Sequence, residues 1–441
     1  MDIIFEQARL PGGWARNVRF AVEAGRITAI TADADGAGRT RVAGAAIPAI
    51  TNLHSHAFQR AMAGLAEQSR AGVDDFWAWR GAMYGFLRKL TPDDVEAIAA
   101  MLQVELLEQG YGGIVEFHYL HNDPDGRPYA DPTEMARAIR RAAETSGIGL
   151  TLAPVLYTSS GFGGKPALDG QKRFLMDPEA FLRLLDDTKA EALAFHSLRA
   201  VTPEQMAFVL ERVSPGIPIH VHVAEQTGEV DECLAATGQR PVEWLLDQGL
   251  LTPRWTLVHA THMTDPEAEG AARAGATVAL CPSTEGNLGD GFFNAPAFLG
   301  AGGSFGIGSD SHVSTSPVEE LRWFEYGRRL QARKRTLGAG GGEHVGAWLW
   351  LAAAEAATRP TGRSAGTLAV GAVADFVVLD TDHPALTGRD GDLILDSFVF
   401  SGQGCVREVW TSGQRRVENG RHIAREAVAR AYRKTIERLK A

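Results

Sequence analysis

Cysteine is scarce and scattered. The 441 residues hold three, Cys233, Cys281 and Cys405, far apart and with no C-x-x-C pair, which excludes a disulfide framework and a cysteine zinc site and leaves core or incidental roles. No run approaches the roughly 18 uninterrupted apolar residues of a membrane span. The opening Met-Asp-Ile-Ile-Phe-Glu carries acids where a secretory leader has a basic segment and an apolar core. The expectation is a cytoplasmic protein with no membrane partner. Blocks of lysine and arginine are also missing, and the formal net charge is −10, so nucleic acid is not an expected partner. A small acidic ligand held by a few arginines is compatible with that balance. No G-x-G-x-x-G opens a helix, so nothing marks a nucleotide-binding open sheet.

What is present is ordinary globular material, 45% hydrophobic and 22% charged, enough for one large domain and a smaller one. Short alternating segments open the chain (Ile3 to Ala8, Val18 to Glu23, Arg26 to Ile30), separated by Pro-Gly-Gly and Ala-Gly turn signals. A matching set recurs near the other end, at Asp375 to Leu379, Cys405 to Trp410 and the turn Val417 to Arg421. The simplest arrangement pairs the two ends into one β-sandwich. Ala424 to Leu439 spaces its apolar residues as a solvated amphipathic helix does.

Between the ends, eight apolar runs alternate with helical stretches such as Pro92 to Glu108, Asp131 to Thr145 and Pro178 to Asp187. The runs are Ala46 to Leu53, Gly113 to Tyr119, Leu150 to Tyr157, Ala192 to His196, Ile217 to Val223, Trp255 to His259, Ala276 to Cys281 and Ser304 to Ser309. That is the pattern of an α/β fold of (β/α)8 TIM-barrel type, with its site at the C-terminal ends of the strands. The expected division is 1–47 and 365–422 for the two parts of the sandwich, 48–364 for the barrel and 423–441 for a last helix. Gly338 to Gly342 lacks a preceding strand and is expected to be a loop.

The polar residues sit where a barrel needs them. In T-N-L-H-S-H-A-F-Q, His54 and His56 share one face of an extended chain, about 6.6 Å apart in rise. Alone, an H-x-H is equally two polar residues at a strand end. A second pair stands in Ile219-His220-Val221-His222-Val223-Ala224-Glu225. His220 lies deeper, where a hydrogen-bonded core histidine is expected, and His222 lies at the mouth. Glu225 is placed to move protons above a metal, although a lone glutamate there also suits a helix N-terminus. Asp310 closes the eighth run in Gly306-Ile307-Gly308-Ser309-Asp310. His54, His56, His222 and Asp310 together offer N and O ligation for zinc with a position left for water.

These residues resemble the amidohydrolase superfamily of metal-dependent hydrolases, and the resemblance spans almost the whole chain. Many members bind two metals through a carboxylated lysine ending the fourth strand. Here that position reads Ala194-Phe195-His196-Ser197-Leu198-Arg199, which implies one divalent ion per chain, zinc by expectation. His222 with Glu225, His259 and Asp310 match the mononuclear deaminase branch. Four segments narrow the resemblance to the formimidoylglutamate deiminase family: His54 to Arg60, Trp79 to Tyr84, His196 to Arg199, and Cys281 to Gly291. Nucleobase and triazine deaminases usually have Ser-Asn where Glu285-Gly286 stands.

The resemblance implies hydrolysis of N-formimidoyl-L-glutamate, with Glu225, His259 and Asp310 catalytic; a homodimer is a separate expectation. His259 has a purely structural role as its alternative. For a dicarboxylate substrate, Arg80 and Arg199 offer bidentate, charge-assisted bonds, and by resemblance Gln59, Tyr119 and His196 join them. The competing readings are a cation stacked on Phe76, Trp77 and Trp79 for Arg80, and a core ring for Tyr119. The rival functions are another aminohydrolase, such as a guanine deaminase, and a non-catalytic barrel scaffold, which would be expected to lose metal ligands. His118, His121 and His312 receive no role.

Overall fold

The computed structural model describes residues 2–35, 40–65, 67 and 76–440, the side chains of 76–80 and 82 excepted. Four strands open the chain: β1 (Asp2–Leu10), β2 (Gly13–Glu23), β3 (Arg26–Thr31) and β4 (Thr40–Pro48). Eight form the barrel: β5 (Ile50–Ser55), β6 (Tyr111–His118), β7 (Gly149–Leu156), β8 (Leu193–Ser197), β9 (Ile219–Val223), β10 (Trp255–His259), β11 (Thr277–Leu280) and β12 (Ser304–Ile307). Four more follow: β13 (Phe376–Leu379), β14 (Val406–Thr411), β15 (Gln414–Glu418) and β16 (Arg421–His422).

β5 to β12 pair in sequence order, all parallel. Strands buried on both faces read as continuous apolar runs, which is why these runs stand out in the sequence. The ring closes between its first and last strands. Ser55 bridges Asp310, the N–H groups of Ser309 and Asp310 donate to the His54 carbonyl at 3.2 and 3.0 Å, and the His56 N–H donates to the Asp310 carbonyl at 3.3 Å. Gly308 permits this closure, because a Cβ there would stand 2.7 Å from the His54 Cβ and 2.9 Å from its nitrogen.

The two chain ends form one further eight-stranded sheet, in the order β16-β15-β14-β13-β4-β1-β2-β3. β4 and β13 join the halves, Phe376 opposite Pro48 and Leu379 opposite Ala45. Its own core holds Ile3, Phe5, Phe20, Ile27, Val42, Phe376 and Trp410, with Phe5, Phe20 and Phe376 in edge-to-face contact. That is the sandwich expected of the two ends. One expectation is corrected: the run Ala46 to Leu53 is two strands. The chain leaves the end sheet after Pro48 and enters the barrel at Ile50, with Ala49 N–H held by the Asp375 carbonyl at 3.3 Å.

The helices begin and end on local signals. Pro92–Gln109 starts at Thr91, whose hydroxyl accepts the Asp94 N–H while the Asp94 carboxylate accepts the Thr91 N–H, and it stops at Gly110 in the left-handed conformation. Arg425–Lys440 packs against that helix, with Arg425 Nη1 donating to Glu108 Oε2 at 2.6 Å and Arg438 paired with Asp94. Glu134–Ser146 starts three residues later than the sequence implied, because Asp131 caps the preceding turn through the Thr133 N–H and hydroxyl. Among the described residues no helix is long and apolar enough to cross a membrane.

Candidate active site

At the C-terminal mouth of the barrel a cavity of about 70 Å³ is lined by His56, Gln59, Tyr119, His196, Arg199, His222, Glu225, His259 and Asp310, among others. The structure therefore brings together nearly all the residues singled out from sequence. His54 stands fully buried behind His56. Arg80 falls in the helix Phe76–Leu87, and its side chain lies outside the described residues.

Four side chains converge. His54 Nε2 lies 3.2 Å from His56 Nε2 and 3.0 Å from His222 Nε2, and Asp310 Oδ1 lies 3.5 and 3.4 Å from the His54 and His56 Nε2 atoms. His56 Nδ1–H donates to the Phe117 carbonyl and His222 Nδ1–H to the His196 carbonyl, each at 3.0 Å. A carbonyl only accepts, so Nδ1 carries the proton in both rings and the Nε2 lone pairs face inward. Burial, then the neighbouring histidines, drives His54 and His222 well below the usual histidine range, and burial lowers His56. Neutral imidazoles whose lone pairs meet at such distances repel unless a cation lies between them. Ligand atoms arranged tetrahedrally about 2.0–2.1 Å from one ion are about 3.3–3.4 Å apart, so the spacing fits a single divalent metal.

Two further titratable groups, Glu225 and His259, stand beside that cluster. Burial, assisted by Asp310 and Glu229 and opposed by His259, pushes the Glu225 carboxyl up to about 7. His259 Nε2 lies 3.8 Å from Glu225 Oε1 and 3.9 Å from Asp310 Oδ2. Burial pulls His259 down, and Glu225, Cys281 and Glu285 outweigh it, leaving its pKa well above the usual value. Ala224, His259, Ala260, Asp310 and His312 all take left-handed backbone, with φ of 53, 66, 52, 42 and 60°. Such conformations cost about 1–3 kcal/mol each and gather where a site over-determines the chain.

The remaining lining includes Gln59, Tyr119, Arg199 and His196. Gln59 Nε2 donates to the Tyr119 hydroxyl at 3.0 Å, and Gln59 Oε1 is buried without a hydrogen-bond partner among the described residues. Arg199 stands among Glu225 and Glu229 and acts on both carboxyls. His196 packs edge-on to Tyr157, ring centroids 4.5 Å apart.

Sequence reasoning missed several participants. Glu285 bonds His259, Glu229 lines the cavity, and Glu116 accepts the Ser55 hydroxyl at 2.6 Å and the Ala57 N–H at 2.8 Å. Burial raises Glu116 to about 8. His312 links Ser309 (2.8 Å) to Ser55 (3.1 Å) across the barrel closure. The one signal available was Glu285 itself, which departs from the Ser-Asn of related deaminases.

Comparison with known proteins follows the same lines. The amidohydrolase family model matches residues 45–416, and the model of the N-terminal domain of formimidoylglutamate deiminase HutF matches residues 1–42. The chain is 50% identical over 444 residues to formimidoylglutamate deiminase of Pseudomonas aeruginosa, with 98% of each covered. It is 30% identical to a 5-methylthioadenosine/S-adenosylhomocysteine deaminase of Natronomonas pharaonis, over 77% of this chain and 74% of that one. A crystal structure of an amidohydrolase from Brucella melitensis matches with a TM-score of 0.95 at 46% identity over the full length of both chains.

Proposed function

Because the chain belongs to the amidohydrolase family and, within it, to the formimidoylglutamate deiminases, we propose that it hydrolyses N-formimidoyl-L-glutamate to N-formyl-L-glutamate and ammonia in histidine degradation. The observation that carries this reading is the cavity in which His56, His222 and Asp310, with His54 buried behind them, meet Glu225 and Arg199.

We assign His54, His56, His222 and Asp310 as ligands of one divalent ion per chain, zinc by preference. When bound, that ion supplies the Lewis acidity that makes a water acidic near neutrality, about 7 against about 15.7 in bulk. The chain does the rest. Glu225 accepts a proton as the water oxygen adds to the formimidoyl carbon, and returns it to the terminal nitrogen as the C–N bond breaks and ammonia leaves. A carboxyl near 7 suits both transfers at physiological pH. The amidine enters as a cation, so the one returned proton completes ammonia; His259 and Asp310 orient the attacking water and take its remaining proton, which departs with the ammonia as ammonium. Arg80 and Arg199 pair with the two substrate carboxylates, while Gln59, Tyr119 and His196 hold the glutamate portion in place.

The same reading extends to a cytoplasmic homodimer without nucleic-acid or membrane partners, checked by light scattering and fractionation. The direct test is ammonia release from N-formimidoyl-L-glutamate by the metal-loaded enzyme, set beside guanine and cytosine. Turnover of either base in preference to the amidine overturns the assignment.

A further inference from the structure

We infer that Glu285 is a positioning residue: it holds His259 with Nδ1 protonated and leaves Nε2 as the nitrogen that exchanges a proton beside Glu225 and Asp310. The inference deepens the deiminase reading above and depends on it for its kinetic arm. His259 ends β10 with φ +66°, so regular strand geometry does not set where its ring points. The ring is 1% exposed, and Glu285 Oε1 stands 3.3 Å from Nδ1. An ionised carboxylate only accepts, so a bond at Nδ1 keeps the proton there. The same oxygen accepts the Cys281 N–H at 2.8 Å, which fixes the carboxylate before it meets the imidazole.

The support extends one layer further. Glu285 lies in the short helix Pro282–Leu288, which is pinned where Glu320 accepts the Ser283 N–H at 2.8 Å and where the Thr284 and Ser311 hydroxyls meet at 2.9 Å. Past the helix, Asp290 N–H donates to the Glu285 carbonyl at 2.9 Å, and the Asp290 carboxylate accepts from Gln226, the neighbour of Glu225. One segment, Cys281 to Gly291, thus bears on both proton-handling residues. Buttressing of a working imidazole by a carboxylate behind it fixes tautomer and orientation, and its removal commonly costs about 10- to 100-fold.

A mutant cycle combined with NMR tests this. Glu285→Met keeps the side-chain length and removes the oxygen that the His259 Nδ1–H and the Cys281 N–H share. We expect kcat on N-formimidoyl-L-glutamate to fall about 10- to 100-fold with KM within about twofold and metal content unchanged. Glu285→Asp should recover part of the loss and serves as the working variant if the methionine form does not fold. In a His259→Asn background, where no ring remains to be held, the same change should cost less than about twofold more. Independently of turnover, ¹⁵N spectra of the zinc-loaded, histidine-labelled enzyme should show His259 protonated at Nδ1, and that signal should be lost or averaged in the variant. An equal loss in both backgrounds, an unchanged His259 spectrum, or a second ion held by His259, Cys281 and Glu285 would overturn the inference. If wild type releases no ammonia, the functional reading fails alone, and the spectra still decide the role of Glu285.

Discussion

Two barrel strands carry the same His-x-His spacing, His54 and His56 at the end of β5 and His220 and His222 within β9, yet the first pair sends both rings to the donor cluster and the second sends one. In β5 the strand ends at Ser55, so the pair straddles the mouth. In β9 the strand runs on to Val223, which leaves His220 opposite Thr256 in the barrel wall. Two residues of depth are about 6.6 Å, enough to move a ring from the cluster to the interior. There His220 Nε2–H donates to the Pro360 carbonyl at 2.8 Å, and burial holds its pKa down to about 4. Identical spacing therefore yields two proposed ligands or a structural bond according to where the strand stops.

The comparison can be broken, and the largest effect should come from its first half. His54→Ala or His56→Ala should abolish turnover together with the bound ion, one per chain falling to none by elemental analysis. Two ions per active chain, both needed for activity, would refute the ligand set. Next comes Glu225, adjacent to the same strand as His222 but assigned to protons: Glu225→Gln should retain the metal and lower kcat by about 10²- to 10⁴-fold. Metal loss in that variant would make Glu225 a ligand.

A smaller effect is expected at the arginines. Removing either the Arg80 or the Arg199 guanidinium should lower kcat/KM by about 10- to 100-fold, since a charge-assisted bond is worth roughly 1.5–3 kcal/mol. Lysine should rescue poorly, and a substrate analogue lacking the matching carboxylate should lose little further. Loss within about twofold for both variants would make the arginines structural.

The smallest catalytic effect belongs to the second half of the comparison. His220→Phe should keep the metal and leave kcat within about twofold while lowering stability by about 1–3 kcal/mol, because the buried Pro360 carbonyl loses its donor. A fall in metal content as large as that of His54→Ala would erase the distinction between the two pairs.

Much of this was legible in the sequence, for physical reasons. Strands covered on both faces become apolar runs, and the polar residue ending each run marks the mouth, so His54, His56, His222, His259 and Asp310 could be placed before any coordinates. The switch between sheets at Ala49 was missed although Pro48 marks it: the run is apolar on both sides, and a lone proline without a glycine or polar turn residue beside it does not stand out within one apolar run. Glu285 was missed for a different reason. A glutamate in the first turn of a short helix looks like any helix-start acid, and only the fold brings it to a histidine 26 positions away. Glu116 was hidden in the same way, a carboxylate inside an otherwise apolar strand whose partners lie on β5 and just beyond it.

The bridge between Ser55 and Asp310 has a thermodynamic consequence. Two of the proposed ligands come from β5 and the position just past its end, and a third follows β12, so a bound ion is a clasp across the junction that turns an open row of strands into a ring. That junction joins the segments most distant along the chain, the contacts whose formation costs most loop entropy. Ligand affinity then appears as resistance to unfolding: an ion at 100 times its Kd adds about 2.7 kcal/mol. Chelation should lower the melting temperature and speed amide exchange first at Ser309 and Asp310, whose N–H groups close the ring, while amides of the end sheet stay protected.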